Sequence, residues 1–191
     1  MNTFSEDTSK QIVSVLQSRR SFRALDTREI GQDVLERIMT AATLAPSCSN
    51  KQPWRYLVAR GEDALARVRL RLSEGNYWAQ RAPVIVLVIT RDDLDCRLDD
   101  DRNYAQFDTG MSVMAMLAQA EAEGLYAHPM AGFDSVGLRG DFGIEDGYRL
   151  LTVIAIGYPG SIEVLNEKHQ AAEQSERSRK PLSDVVRYDS W

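Results

Sequence analysis

The sequence has few of the residues that build disulfide frameworks, metal sites and hydrolase centres. It contains two cysteines and two histidines in 191 residues. Two cysteines are too few for a secreted disulfide scaffold, and the four residues lack the spacing of a two-Cys-two-His zinc set. A glycine-rich phosphate loop and a Gly-x-Ser-x-Gly nucleophile elbow are also absent. The longest apolar run covers residues 83–89, which is far too short to span a bilayer. We therefore expect neither a metal site nor a membrane anchor.

Charge and composition are those of an ordinary globular protein. The net charge is −5, with 43% hydrophobic and 27% charged residues. This excludes a disordered or collagen-like chain and gives no overall attraction for nucleic acid or anionic membrane. A chain of this length buries roughly 70% of its unfolded surface, so we expect one domain over residues 1–191. Residues 1–10 carry Glu6 and Asp7 without an apolar run. They do not resemble a signal peptide, and a cytoplasmic location is expected.

Hydrophobic periodicity predicts helices alternating with strands. Residues 31–44 and 104–123 have helical spacing, whereas the runs at 83–89 and 150–158 predict strands buried on both faces. Shorter patterns predict strands at 54–59 and 125–130 and helices at 63–72 and 136–142. The chain is thus a mixed α and β domain with a sheet between helices. Residues 161–180 are predicted to form a polar connection, and the apolar tail 181–191 is expected to dock on another surface.

Two arginine-rich clusters lie far apart in the sequence. The first contains Arg19, Arg20, Ser21 and Arg23, and the second contains Arg177 and Arg179. Guanidinium groups match the geometry of a phosphate, so the two clusters could close on one phosphate. The alternative is that both are solvated charge, as most charge runs are.

A loop of small polar residues, loop 46–53, lies between two prolines. It offers hydroxyl, thiol and amide groups that could bind a polar ring edge, although the same residue types also form ordinary turns. These groups come from Ser47, Cys48, Asn50 and Gln52, after Pro46. Cys48 would need a base to act as a nucleophile, and no nearby histidine provides one.

Residues 128–134 follow a predicted strand, and Ala131 and Gly132 would let a flat ligand approach the backbone closely. The alternative is a turn leaving the sheet, with His128 in a structural role.

The acidic run at 92–101 lacks the glycine and terminal glutamate of a calcium loop. It is expected to be a solvated loop.

Taken together and in this order, these segments resemble the nitroreductase family of FMN-dependent oxidoreductases. The resemblance extends over residues 11–191 and includes Arg-Arg-Ser-x-Arg at 19–23 and Pro-Ser-x-x-Asn-x-Gln-Pro-Trp at 46–54. It implies an α+β fold, a three-layer α/β/α arrangement with a central mixed, mostly antiparallel sheet. It also implies an intertwined homodimer, with non-covalently bound FMN at the subunit interface and the tail 181–191 docked on the partner.

The resemblance also implies which residues bind the cofactor. Residues 19–23 would clamp the phosphate and ribityl chain, loop 46–53 would meet the flavin of the partner subunit, and residues 129–132 would lie against the ring. The implied set is Arg19, Arg20, Ser21, Arg23, Pro46, Ser47, Cys48, Asn50, Gln52, Asn76, Pro129, Met130, Ala131, Gly132, Arg177 and Arg179. Ala131 stands where some members have Glu, and it still supplies a backbone N–H.

The implied activity is hydride transfer from NAD(P)H, followed by reduction of a nitroaromatic, a quinone or a similar small acceptor in a ping-pong sequence. No catalytic side chain is required, because the flavin carries the chemistry. Alternatives are dehalogenation, enone reduction or flavin fragmentation on the same scaffold, or a non-enzymatic flavin-binding protein. A colourless Cys-His hydrolase, dependent on Cys48, is a third alternative.

Overall fold

A four-stranded antiparallel sheet forms the centre of the computed structural model, which describes residues 12–191. The central strands are β2 (Val84–Thr90) and β4 (Arg149–Gly157), with β1 (Arg55–Ala59) and β3 (Tyr126–Met130) at the edges. The order is β1-β2-β4-β3, and each described pairing is antiparallel. The predicted absence of a signal peptide concerns residues 1–10, which lie outside the described residues.

Strand β2 is buried along its whole length, as its unbroken apolar run predicts. Alternate side chains enter two separate cores. Ile85 and Leu87 enter one core, whereas Val84 and Val86 enter the other. The sheet therefore needs helices on both faces.

Helices cover each face of the sheet. One face packs against α2 (Gln32–Thr43) and α4 (Tyr104–Ala122), through side chains such as Ile38 and Met116. The other face packs against α3 (Glu62–Leu70) and α5 (Ser135–Asp141), together with a 3₁₀ segment at Glu74–Arg81 that buries Trp78. This confirms the predicted α+β fold with three layers.

The ends of α4 follow from local chemistry. The side chain of Asn103 caps its N-terminus by accepting a hydrogen bond from the backbone N–H of Gln106. Gly124 ends it in the left-handed region, at a φ of 73°, where glycine is favoured. Among residues 12–191, no helix is both long enough and apolar enough to cross a bilayer.

The remaining α-helices lie toward the two ends of the described chain. They are α1 (Ser14–Ser18), α6 (Glu167–Gln174) and α7 (Leu182–Val185). Residues 161–180 were expected to stay out of the core, yet Leu165 and Glu173 are buried. Tail side chains such as Tyr188 and Trp191 are exposed on the single chain, so docking of the tail on a partner subunit stays a prediction.

Candidate cofactor site

The two arginine clusters come together in space, although more than 150 residues separate Arg20 from Arg177 along the chain. They line a surface cavity of about 390 Å³, the arginine cavity, formed by residues 19–23, 172, 173 and 175–179. Five arginines and two glutamates surround it: Arg19, Arg20, Arg23, Arg177, Arg179, Glu173 and Glu176. Positive charge therefore dominates this cavity in a chain whose net charge is −5.

Glu173 holds the first cluster in place from within α6. Its buried carboxylate accepts the backbone N–H of Arg23 at 3.0 Å and that of Ala24 at 3.4 Å. It also lies 3.6 Å from the Arg23 guanidinium. Sequence reasoning missed Glu173, because one acidic residue in a polar segment carries no signal of burial.

Arg177 joins the second cluster to the first. Its guanidinium donates to the carbonyl of Leu16 at 2.9 Å and to that of Arg19. Burial lowers the pKa of Arg177, and the neighbouring positive charges of Arg179 and Arg19 lower it further. Arg177 therefore fixes the backbone at Leu16 and Arg19 and adds a positive charge to the arginine cavity.

Arg19 has donor capacity that no described group uses. Its Nη1 atom is buried and has no hydrogen-bond partner among residues 12–191. Arg20 donates to the carbonyl of Ala172 at 3.3 Å and lies over the Phe22 ring at 4.9 Å, while Ser21 stays exposed at the rim. A buried guanidinium nitrogen without an acceptor, among four other arginines, is suited to an anion.

His128 forms a hydrogen bond with the backbone between Ser21 and Arg23. Its Nδ1–H donates to the carbonyl of Phe22 at 3.2 Å, and its ring packs against Trp78 at 4.6 Å between centroids. Burial, followed by the positive charge of Arg23, lowers the pKa of His128 to about 4. The ring is therefore neutral near pH 7 and fixes the position of Phe22.

The structure brings Asn76 to the segment after β3. The Asn76 side-chain amide donates to the carbonyl of Gly132 at 2.8 Å, and the backbone N–H of Ser73 donates to the same oxygen at 3.0 Å. A Cβ on Gly132 would lie 3.0 Å from Asn76 Nδ2, so the close approach favours glycine. Pro129 and Met130 end β3, and Ala131 is exposed. Asn76 and residues 129–132, which were predicted separately as parts of the site, thus form one surface.

Loop 46–53 is held in an unusual backbone conformation. Ser49, Asn50 and Gln52 have φ values of 48°, 55° and 52°, in a region that non-glycine residues rarely adopt. The Ser47 hydroxyl accepts the backbone N–H of Gln52 at 2.9 Å, while Pro46 is exposed. Such strain persists only where surrounding contacts fix the chain.

A disulfide and a buried acid supply those contacts. Cys48 is bonded to Cys96, and its backbone N–H donates to Asp108 Oδ2 at 2.7 Å. In this oxidised form both cysteines are occupied, so Cys48 is not available as the nucleophile that the Cys-His hydrolase alternative requires. Sequence reasoning missed this pairing and expected the acidic run at 92–101 to be solvated, yet Asp95 is buried within it. Asp108 was the available signal, because it is the first charged residue of α4 and the next one is Glu121.

Comparison with known proteins identifies the family. The nitroreductase family matches residues 16–76 and 70–158. An oxygen-insensitive NAD(P)H nitroreductase of Salmonella typhimurium is 28% identical over 200 aligned residues, covering 81% of this chain and 91% of that protein.

Solved structures agree with this match. A crystal structure of an oxidoreductase containing FMN is 30% identical, with a TM-score of 0.86 over all of this chain and 96% of that one. A nitroreductase family protein of Clostridium difficile has the same fold at 24% identity, with a TM-score of 0.78 over 95% of this chain and 99% of that one. The resemblance noted in the sequence is confirmed, and the chain belongs to the nitroreductase family.

Proposed function

We propose that this enzyme binds FMN with its phosphate in the arginine cavity, oxidises NAD(P)H and reduces a small acceptor, such as a nitroaromatic or a quinone. The observation that carries the proposal is the buried Arg19 Nη1 atom, which lacks an acceptor among the described residues of a five-arginine cavity. The relatives' names, which refer to FMN and to NAD(P)H, agree with this chemistry.

The cavity residues fit a phosphate in both charge and geometry. Arg19 offers a free buried nitrogen, and Ser21 and Arg179 stand exposed at the rim. Arg177 and Glu173 would act one step away, because they hold the backbone of residues 19–24. A cofactor held by its phosphate needs no covalent bond to the protein.

The flat part of the cofactor would lie against the surface formed by Asn76 and residues 129–132. Gly132 allows close approach of the backbone, and Asn76 fixes its carbonyl. Ala131 would offer its backbone N–H, which can stabilise negative charge on a reduced ring. When bound, FMN supplies the hydride and electron chemistry, and the chain's own task is to orient it.

A homodimer would complete each site. Loop 46–53 is tied to α4 through Asp108, whereas the arginine cavity is built beside α6. We infer that Pro46, Ser47, Cys48, Asn50 and Gln52 contact the FMN of the partner subunit. The exposed apolar side chains of the tail 181–191 would pack on that subunit in the cytoplasm.

Anaerobic flavin spectroscopy tests the proposal. Purified protein is loaded with FMN, freed of excess cofactor and mixed with NADH or NADPH. We expect the visible flavin band to bleach, and to return when a nitroaromatic or a quinone is added. Light scattering on the same sample should give the mass of two chains.

The other outcomes are equally informative. A chain that retains no FMN contradicts the proposal, and a yellow protein that neither NADH nor NADPH bleaches contradicts the donor. If only an enone or a halogenated arene restores the flavin band, the acceptor is a compound of that class and not a nitroaromatic or a quinone.

A further inference from the structure

Two buried carboxyl groups lie beside the Cys48–Cys96 disulfide. Asp95 is 5% exposed and Asp108 is fully buried. One oxygen of each accepts a cysteine backbone N–H at 2.7 Å, Cys96 donating to Asp95 and Cys48 to Asp108. The other oxygens, Asp95 Oδ2 and Asp108 Oδ1, are buried and have no hydrogen-bond partner among the described residues.

Buried carboxyl oxygens without partners are costly, and their presence calls for a proton or a cation. Across residues 12–191, none of the ion pairs formed involves Asp95 or Asp108. The backbone N–H groups that they accept satisfy only one oxygen each. The Asp95 and Asp108 carboxyl groups are neighbours, and either a shared proton or a bound cation would satisfy their free oxygens.

The cysteine sulfurs add ligands of a different kind at the same place. The two Sγ atoms and one carboxylate oxygen of Asp95 all lie within 4.8 Å of one another. In a tetrahedral zinc site with metal–sulfur distances of about 2.3 Å, two sulfur ligands lie about 3.8 Å apart. Once the disulfide is broken, the two sulfurs need to move apart only slightly to reach that spacing. The two sulfurs and the Asp95 oxygen then lie close enough together to bind one metal ion.

We propose that the reduced chain binds one zinc-type divalent cation through the Cys48 and Cys96 thiolates and the Asp95 carboxylate, with a water in the fourth position. A metal-bound water would donate to the free Oδ1 of Asp108. An outer cavity of about 370 Å³, lined in part by Cys96, Asp101 and Tyr104, opens a path from solvent. Thiolate ligands favour zinc over magnesium or calcium.

An external dithiol can reduce the Cys48–Cys96 disulfide before the cation binds. Two electrons and two protons pass from the dithiol to the disulfide, so the S–S bond breaks, Cys48 and Cys96 become thiols, and the dithiol becomes a disulfide. The cation then displaces the two thiol protons and forms two metal–sulfur bonds. Because reducing compartments disfavour disulfides, the cation would replace the covalent link that holds loop 46–53.

Zinc titration of the two redox forms tests the proposal. Tag-free FMN-loaded protein is reduced with a phosphine, freed of reductant under anaerobic conditions, and titrated with Zn²⁺ against a chromophoric zinc chelator. We expect one Zn²⁺ per chain in the reduced form and affinity at least about tenfold weaker in the oxidised form. Cobalt should give a thiolate-to-metal charge-transfer band in the reduced form alone. Equal binding by the two forms, or no cobalt band, overturns the proposal.

Variants separate this site from adventitious binding. We expect Asp95→Asn and Cys96→Ser to weaken Zn²⁺ binding by at least about tenfold. Asp99→Asn, which changes an exposed carboxylate on the same segment, should leave it unchanged. Binding that survives both ligand changes contradicts the assignment. If a ligand variant does not fold, the comparison of oxidised and reduced wild type still decides. A chain without FMN can be titrated in the same way, so failure of the flavin proposal is distinguishable.

Discussion

Glu173 and Arg23 join the two ends of the cofactor site. The Glu173 carboxylate accepts the backbone N–H of Arg23 at 3.0 Å, across 150 positions of sequence. The same carboxylate lies 3.6 Å from the Arg23 guanidinium. Helix α6 therefore sets the shape of the loop that would hold the phosphate, and stability and cofactor binding are linked through one buried acid.

Replacing this acid should destabilise the chain. Glu173→Gln leaves two backbone N–H groups with one amide oxygen and removes the charge that faces Arg23. We expect the free energy of unfolding to fall by about 1.5–3 kcal/mol, the range for hydrogen bonds to charged groups. Chemical denaturation measures the loss. Glu176→Gln, an exposed change at the same cavity, should stay within about 0.5 kcal/mol. Equal losses would contradict a special role for Glu173.

His128 should make stability depend on pH below neutrality. Its pKa is about 4 in the folded chain, against 6.5 as the ordinary value. Between these values the unfolded chain binds the extra proton and the folded chain does not. The contribution of the neutral His128 ring to the free energy of unfolding is therefore complete above pH 6.5, and it is lost as the pH falls toward 4. The shift corresponds to at most about 3 kcal/mol.

The variant His128→Asn tests this dependence. Its amide can still donate to the Phe22 carbonyl but does not titrate. We expect denaturation curves between pH 4 and pH 7 to lose the steep part of the wild-type slope in this variant. His169→Asn, which changes the other histidine, should retain most of it. A slope unaffected by His128→Asn would refute the assignment.

Gly132 should not tolerate a methyl group. An added Cβ would lie 3.0 Å from Asn76 Nδ2 and 3.1 Å from Ser73 Oγ. We expect Gly132→Ala to cost about 1–3 kcal/mol, as overpacking does, and to weaken FMN binding measured by flavin fluorescence. Gly61→Ala is the matched control, because a Cβ there meets nothing within 4 Å. A Gly132→Ala chain with wild-type stability and FMN affinity would show that this segment is not shaped by the close contact.

The disulfide should stabilise the chain without being required for folding. Cys48 and Cys96 are 48 positions apart, and closing a loop of this size typically contributes about 2–4 kcal/mol. We expect reduction in the presence of a chelator to lower the free energy of unfolding by that amount, with the fold retained. The double variant Cys48→Ser/Cys96→Ser should have the same free energy of unfolding as the reduced protein, and adding reductant should not change it. A double variant as stable as the oxidised chain would contradict this role.

Local patterns predicted the layers of the fold well. The apolar run at 83–89 predicted β2, and the helical spacing at 104–123 placed α4 to within a residue. Those signals are local, because burial on both faces and helix capping each leave a pattern in neighbouring residues.

The candidate site depended on contacts that leave no such pattern. Glu173 meets Arg23 across 150 positions, and Cys48 meets Cys96 across 48. A glutamate in a polar segment and an aspartate in an acidic run are expected to be solvated, so the burial of Glu173 and Asp95 was missed. The chemistry of guanidinium groups allowed the two arginine clusters to share a phosphate, and the resemblance to a family implied it, but no local pattern showed that they meet.

The most direct test compares FMN with riboflavin, which lacks the phosphate. Fluorescence-quenching titrations would measure both affinities for wild type, Arg19→Gln and the exposed control Arg60→Gln. We predict that wild type and Arg60→Gln bind FMN about 10- to 150-fold more tightly than riboflavin, the equivalent of one charged hydrogen bond. In Arg19→Gln most of that preference should disappear. Equal affinity of the wild-type chain for FMN and riboflavin would contradict a phosphate site in the arginine cavity.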